Sequence, residues 1–274
     1  MRGDQPSCGA HSLNHDDSPA DVREEGVSWE PSRSRELADG CLHIFANIPV
    51  DMSRAHGVTE FLGRLLRCSP GDIRVTRDGF GRPVCAEPPA AVGRTTGDRL
   101  FLDTGGDAGR QFLALIRDLP VALSVHTVPR GPVGELLRPF TPLERDYVQE
   151  APVGLRARRL ARLWTRKEAA LRLTGRGELA AADAIDALSG ARDGRIDIPG
   201  TPAGPGSPVR PGGTAYVREL PAGPQTVACA ATPSPVPGVR VWRAESPDGP
   251  DGAHHGRGPA AGTGGSRPAG SARA

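Results

Sequence analysis

The chain has 274 residues, of which 36 are glycine and 28 proline, and only 4% are aromatic. So few large rings and so many chain breakers exclude one fully packed core of that length and imply a folded middle with loose ends. A net charge of +2 argues against a surface for nucleic acid or an anionic membrane, and no apolar run approaches the roughly 18 residues that span a bilayer.

Taken in chain order, residues 1–40 are polar, without periodicity, and read as disordered. They carry no apolar stretch of the kind a secretory signal needs, so the expected location is the cytoplasm. Residues 41–48 (CLHIFANI) predict a strand. Val58, Phe61, Leu62, Leu65 and Leu66 recur at helical spacing and predict a helix over 58–67, broken by Ser69-Pro70-Gly71-Asp72. A short strand over 73–76 and a turn at Asp78-Gly79 follow. Residues 112–116 and 121–128 read as two strands joined in a hairpin at Arg117-Asp118. The longest helix is predicted over 153–174, with Leu160, Leu163, Trp164 and Leu171 as its buried stripe and Gly175 as its stop. Short strands are predicted over 195–198, 215–218 and 226–231, with a proline- and glycine-rich surface loop over 199–213. The tail, 244–274, reads as disordered, its His254 and His255 included. The sum is an α+β class.

Five cysteines (Cys8, Cys41, Cys68, Cys85 and Cys229) are odd in number and widely spaced, with no C-x-x-C pair. That spacing supports neither a zinc ribbon nor a disulfide framework. Lys167 is the only lysine among 34 basic residues. In a chain so biased to arginine, a surviving ammonium marks a position where a compact, strongly hydrated charge has a use.

Lys167 lies in the most informative segment, LWTRKEAALRLTGRG, 163–177. On a helix, Glu168 is four residues from both Trp164 and Arg172, between an aromatic and a cation. The plain reading is an i,i+4 ion pair on a solvated helix face. Another use of the helix, as a nucleic-acid ligand through the five arginines of RARRLARLWTR (156–166), conflicts with the apolar stripe from Leu160 to Leu171 and with the low net charge.

The segment closely resembles the signature of the 4′-phosphopantetheinyl transferases of the surfactin-synthetase-activating type, W-[ST]-x-K-E-A-x-x-K-x-x-G-x-G. Trp164, Thr165, Lys167, Glu168, Ala169, Gly175 and Gly177 match, and Arg172 stands where a second lysine is usual. RPFTPLERDYV (138–148) resembles the R-x-F-x-x-x-E segment of that family, FGRPVC (80–85) its G-[KR]-P turn, and YVRELPAGPQTVACAA (216–231) its closing hairpin. The resemblance implies an α+β fold of two pseudo-duplicated halves, each a small antiparallel sheet packed with helices. A cleft would lie between them, and the chain would divide as 1–40, 41–130, 131–243 and 244–274. It implies a transferase of secondary metabolism that moves the phosphopantetheine arm of coenzyme A onto a serine of an acyl or peptidyl carrier protein, releasing 3′,5′-ADP. The partner would be that carrier protein, with no nucleic acid or membrane, and the protein a monomer. Mg²⁺, or Mn²⁺, would bridge the diphosphate. By the same resemblance Glu168 is a metal ligand and the base for the serine proton, Lys167 and Arg172 contact phosphate, and Arg82 contacts the nucleotide end of coenzyme A.

The pattern is broken at three places. Of the three metal carboxylates expected, Ser124 and His126 of ALSVH (122–126) replace two, so the implied metal set is Glu168, His126 and Ser124. In FLDTGG (101–106), Thr104 stands in for a serine at the coenzyme A phosphate and Gly105 for a histidine, with Asp103 and Asp107 as new acids beside them. The basic helix expected after the first strand is shortened, leaving Arg54 and His56. Two expectations follow: a transferase with a rearranged metal site, and a non-catalytic homologue that binds carrier protein or coenzyme A without transfer.

Overall fold

The computed structural model describes residues 22–25, 37, 40–79, 82–85, 99–107, 109–175, 179–188, 194–200 and 212–243. The tail over 244–274, most of the 199–213 loop, Phe80, Gly81 and Gly177 lie outside them. The described residues belong to one compact unit, Met1–Ala244.

Eleven strands and three α-helices form two sheets among the described residues, an α+β arrangement. The first sheet contains β1 (Val22–Glu25), β2 (Leu42–Ala46), β3 (Val75–Arg77), β4 (Pro83–Cys85), β5 (Leu100–Asp107), β6 (Arg110–Arg117) and β11 (Val239–Arg243), in the order β1-β11-β2-β6-β5-β4-β3. Its β1/β11 and β11/β2 pairs are parallel and the rest antiparallel. The second sheet is antiparallel, β7-β10-β9-β8, from β7 (Ala122–Thr127), β8 (Arg195–Ile198), β9 (Gly213–Leu220) and β10 (Thr226–Thr232). The helices are α1 (Ala55–Leu66), α2 (Pro142–Gln149) and α3 (Val153–Leu173).

The alternation of side chains along each strand sorts the core into three apolar layers. Phe45, Leu113, Leu115 and Trp242 meet α1 through Leu62, Leu65 and Leu66. The opposite face of that sheet, with Ile44, Phe112, Ala114 and Ile116, packs on Leu123, Val125, Ala228 and Ala230 of the second sheet. The outer face of the second sheet, with Ala122, Val217, Cys229 and Ala231, buries Leu160, Leu163 and Leu171 of α3. The layers therefore run helix, sheet, sheet, helix.

Three expectations change. β6 makes its hairpin with β5, not β7. Asp118 closes that hairpin through Arg99, its N–H donating to the Arg99 carbonyl at 2.8 Å, and its φ of +53° turns the chain away towards the other sheet. The sheets also do not part at residue 130, since β7 belongs to the second sheet and β11 returns to the first. Finally, the 1–40 stretch contains β1 and the buried Leu37. A four-residue strand whose partner lies more than two hundred residues away leaves no periodic signal.

The long helix ends as its sequence predicts. Gly175 takes φ +69° and donates its N–H to the Arg172 carbonyl at 3.0 Å, a left-handed stop that a side chain would strain. α2 begins with a capping box: Thr141 Oγ1 accepts from the Glu144 N–H, and the Glu144 carboxylate accepts from the Thr141 N–H.

Candidate functional site

Glu168 points from the C-terminal third of α3 onto the outer face of β7. Ser124 and His126, two apart on that strand, share this face. Ser124 Oγ donates to Glu168 Oε2 at 2.7 Å, and His126 Nε2 hydrogen-bonds the same oxygen. The expected convergence of positions 124, 126 and 168 is therefore present. It lies within one helix-on-sheet layer, not across a cleft between two halves. Trp164, one turn before Glu168, places its ring edge-on to His126 at 6.4 Å between centroids and against Phe140 at 5.8 Å, which fixes the imidazole from one side. Glu168 is 26% exposed and His126 35%, so the cluster opens to solvent. Burial pushes the Glu168 carboxyl up, but the His126 and Ser124 hydrogen bonds, with the charges of His126 and Arg172, outweigh it and hold it below the ordinary 4.5.

Arg172 lies one turn further on. Its Nη1 is 4.0 Å from Glu168, but its tighter contact is with Asp103 of β5, Nη2 to Oδ1 at 2.8 Å. It remains 34% exposed, a cation at the rim of the cluster. Asp103 is buried; desolvation raises its carboxyl above the ordinary range, against the pull of Arg172 and of the Leu123 and Thr104 N–H groups. Thr104 gives its N–H to Asp103 at 2.9 Å and its carbonyl to Arg172 at 3.3 Å.

Two of the implied roles need correction. Lys167 is completely buried and faces away from Glu168. Its Nζ donates to the Ala182 carbonyl at 2.5 Å and the Ile185 carbonyl at 2.7 Å, and pairs with Glu144 Oε2 at 2.6 Å, 5.2 Å above the Phe140 ring. An ammonium has three hydrogens, and these contacts use all of them, so none is left for a phosphate. Arg82 is a second internal staple: Nη1 donates to the Leu173 carbonyl at 2.6 Å, Nε to Asp78 at 2.7 Å and Nη2 to the same carboxylate at 2.6 Å. It satisfies an open carbonyl at the end of α3 and ties the turn between β3 and β4 to that helix. The guanidinium is spent on the fold and not aimed at a nucleotide.

The arginine stripe of α3 is also used internally. Arg156, Arg158 and Arg159 donate to the carbonyls of Ala151, Pro224 and Tyr147, each at 2.9 Å. Arg162 pairs with Glu219 at 2.6 Å, and Arg166 is buried 3.8 Å from the same carboxylate. Arg54 and His56, the remaining basic candidates, are exposed near the start of α1, where Arg54 pairs with Asp51 and His56 with Glu60.

Glu144 is the residue to which the sequence reading gave no role, although two signals pointed to it. Thr141-Pro142-Leu143-Glu144 has the spacing of a capping box, and Glu144 is also the acid of the R-x-F-x-x-x-E segment. Its Oε1 accepts from the Ala187 N–H at 2.8 Å while Oε2 holds Lys167 and caps α2, so one buried carboxylate joins α2, α3 and the chain after them.

The donor set does not fit Mg²⁺. That ion asks for several oxygen ligands in near-octahedral geometry, whereas the cluster offers one carboxylate, already accepting two hydrogen bonds on one oxygen, with an imidazole and a neutral hydroxyl. The imidazole moves preference towards a softer transition ion, to which Glu168 and His126 would offer two donors on giving up their mutual bond. Among the described residues, no group of three histidine, cysteine, aspartate or glutamate side chains is placed to hold a metal ion. No described helix is long and apolar enough to cross a membrane. Compared with known families and curated proteins, the chain matches no family model and no curated protein.

Proposed function

We propose that this chain is a 4′-phosphopantetheinyl transferase-like protein, moving the phosphopantetheine arm of coenzyme A onto a serine of an acyl or peptidyl carrier protein. The observation that carries this reading is the meeting of Glu168, from the W-T-R-K-E-A helix, with positions 124 and 126 of β7. Those are the three places where the resemblance puts the acids of the diphosphate site.

The present side chains support acid–base work without a metal trio. A carboxylate bonded to one imidazole nitrogen orients the ring and leaves the other nitrogen to take a proton. His126, backed by Glu168, takes the proton of the carrier serine as its oxygen bonds to the β-phosphorus of coenzyme A. The bond from that phosphorus to the bridging oxygen breaks, and 3′,5′-ADP leaves. Ser124 holds Glu168 on its second side, and Arg172 sets a positive charge at the rim, where the diphosphate charge would fall. Such transfers depend mainly on positioning and charge neutralisation.

A second reading has its own observation. Lys167 and Arg82, the cations expected at a phosphate and at the nucleotide end of coenzyme A, are locked in internal bonds. A non-catalytic homologue that binds carrier protein or coenzyme A would keep the fold and dispense with them. One experiment separates the two. Purified full-length protein is incubated with coenzyme A, an apo carrier protein and Mg²⁺ or Mn²⁺, and the intact mass of the carrier is measured. A gain of one phosphopantetheine, lost in His126→Gln, supports transfer. Carrier binding that survives EDTA with no gain in mass supports the second reading. Neither binding nor mass gain with several carriers overturns both.

A further inference from the structure

The strand that presents Ser124 and His126 is an end strand, and its register makes that a problem. The Val128 N–H donates to the Gln225 carbonyl at 2.9 Å, so the alternation of an antiparallel ladder gives residues 122, 124 and 126 of β7 to β10. Leu123, Val125 and Thr127 therefore turn their N–H groups outward, away from the sheet. An edge buried against another layer needs acceptors for them. β6, the preceding element, cannot supply them, since its own ladder is with β2 and β5.

β5 supplies two of them, for Leu123 and Thr127, with side chains. Asp103 Oδ2 accepts from the Leu123 N–H at 2.8 Å, and Asp107 Oδ2 accepts from the Thr127 N–H. The two acids are four apart on one strand, so they share a face and reach β7 at positions four apart. Between them stands Gly105, where a Cβ would come within 3.0 Å of Val125 Cγ2. The missing side chain lets the two strands approach. Asp103 also binds Arg172 of α3 at 2.8 Å, so the strand and the helix that build the site are tied to the same carboxylate.

We propose that Asp103 and Asp107 are positioning residues for the Ser124–Glu168–His126 cluster. They bracket it, one bond on each side, and fix the depth and pitch of β7 against β5. Ser124 and His126 then face Glu168 with both hydrogen bonds made. Without the two anchors the end strand would keep its ladder with β10 but lose its outer constraint, and the imidazole would swing from the carboxylate. This rests on the reading of Glu168 and His126 as the acid–base pair, and it makes two apparent departures from the resemblance, the acids at 103 and 107, part of the machinery that replaces the lost carboxylates.

The test uses the full-length chain and nuclear magnetic resonance, with the His126 ring assigned by its loss in His126→Gln. In Asp107→Ala, amide exchange at Thr127 is expected to quicken about tenfold or more, the loss of one hydrogen bond to a charged acceptor. The His126 ring ¹⁵N and ¹H shifts are expected to move towards those of the Glu168→Gln variant. Asp107→Asn keeps an acceptor oxygen and is expected to restore both. Asp197→Ala, which removes an exposed acid from β8, is expected to change neither. Asp103→Asn is the stronger change, because one oxygen cannot serve Leu123 and Arg172 together. If it fails to fold, Asp107→Ala still decides. His126 ring shifts unchanged in folded Asp107→Ala overturn the proposal, because a merely structural acid would leave them in place. A wild-type chain that transfers nothing, while Asp107→Ala moves the His126 ring, defeats the functional reading and leaves the positioning role standing.

Discussion

Lys167 and Glu168 are neighbours in sequence and opposites in structure. A helix turns about 100° per residue, so adjacent side chains leave α3 in different directions. Lys167 enters the core and closes a cage with Glu144, Ala182 and Ile185, at no exposure at all. Glu168 faces the edge of the second sheet, partly open to solvent, and gathers Ser124, His126 and Arg172. One charge has every hydrogen committed to the fold, whereas among the described residues the other charge's Oε1 has only Arg172, at 4.0 Å, as an ion-pair partner. Adjacent charges in a motif need not share a task, and burial decides which of them can meet a ligand.

The comparison can be broken most severely at the caged pair. Removing one partner of a buried ion pair strands the other, at a cost of about 3–5 kcal/mol. Lys167→Met is expected to lose stability on that scale in a denaturant titration, and Lys167→Met with Glu144→Gln to recover part of it. The His126 ring signals should be unmoved in whatever fraction folds. A Lys167→Met protein of wild-type stability that cannot transfer would mean that the lysine serves the reaction.

The next effect is smaller and depends on pH. Glu168→Gln is expected to cost about 1–2 kcal/mol at neutral pH, since the side chain is partly solvated. The Glu168 carboxyl is held below its ordinary 4.5 in the folded chain. Its contribution is therefore fully present above the unfolded value and is lost as pH falls through the lower folded one. Once pH falls below the ordinary carboxylate value, the stability difference between wild type and Glu168→Gln should shrink. A difference that grows on acidification would contradict the hydrogen bonds assigned to Glu168.

The smallest effect is at the seam between the sheets. In Gly105→Ala the new Cβ meets the Val125 side chain, which must give by a few tenths of an ångström. A cost of about 1 kcal/mol is expected, with a shift in the His126 ring signals out of proportion to it. A clean loss of stability with those signals unmoved would separate the seam from the site.

Much of this site was legible before the structure. The period of α3, the glycine that stops it and the pairing of Glu168 with positions 124 and 126 all follow from pattern and resemblance. What was hidden is the occupancy of each donor. A motif names Lys167 and Arg82 but cannot say that Glu144 and the Leu173 carbonyl already hold them, because those partners come from distant parts of the chain. The hairpin assigned to β6 and β7 failed for a related reason. Arg117-Asp118 reads as a turn, and it is one, but which strand lies beside β6 is decided by Arg99 meeting Asp118 and by the sheet to which β7 is committed. Asp103 and Asp107 looked like loose acids because an acceptor for edge N–H groups has no signature in sequence.

The most direct test returns the two acids. In Ser124→Asp with His126→Glu, three carboxylates would converge where Glu168 now gathers a hydroxyl and an imidazole. The double variant is expected to melt below wild type without metal, because like charges repel, and to rise by several degrees with saturating Mg²⁺ or Mn²⁺, the gain of a ligand that binds only the folded state. The wild type should show no such rise with Mg²⁺. A folded double variant whose melting temperature ignores both ions would contradict the claim that 124, 126 and 168 converge on one site.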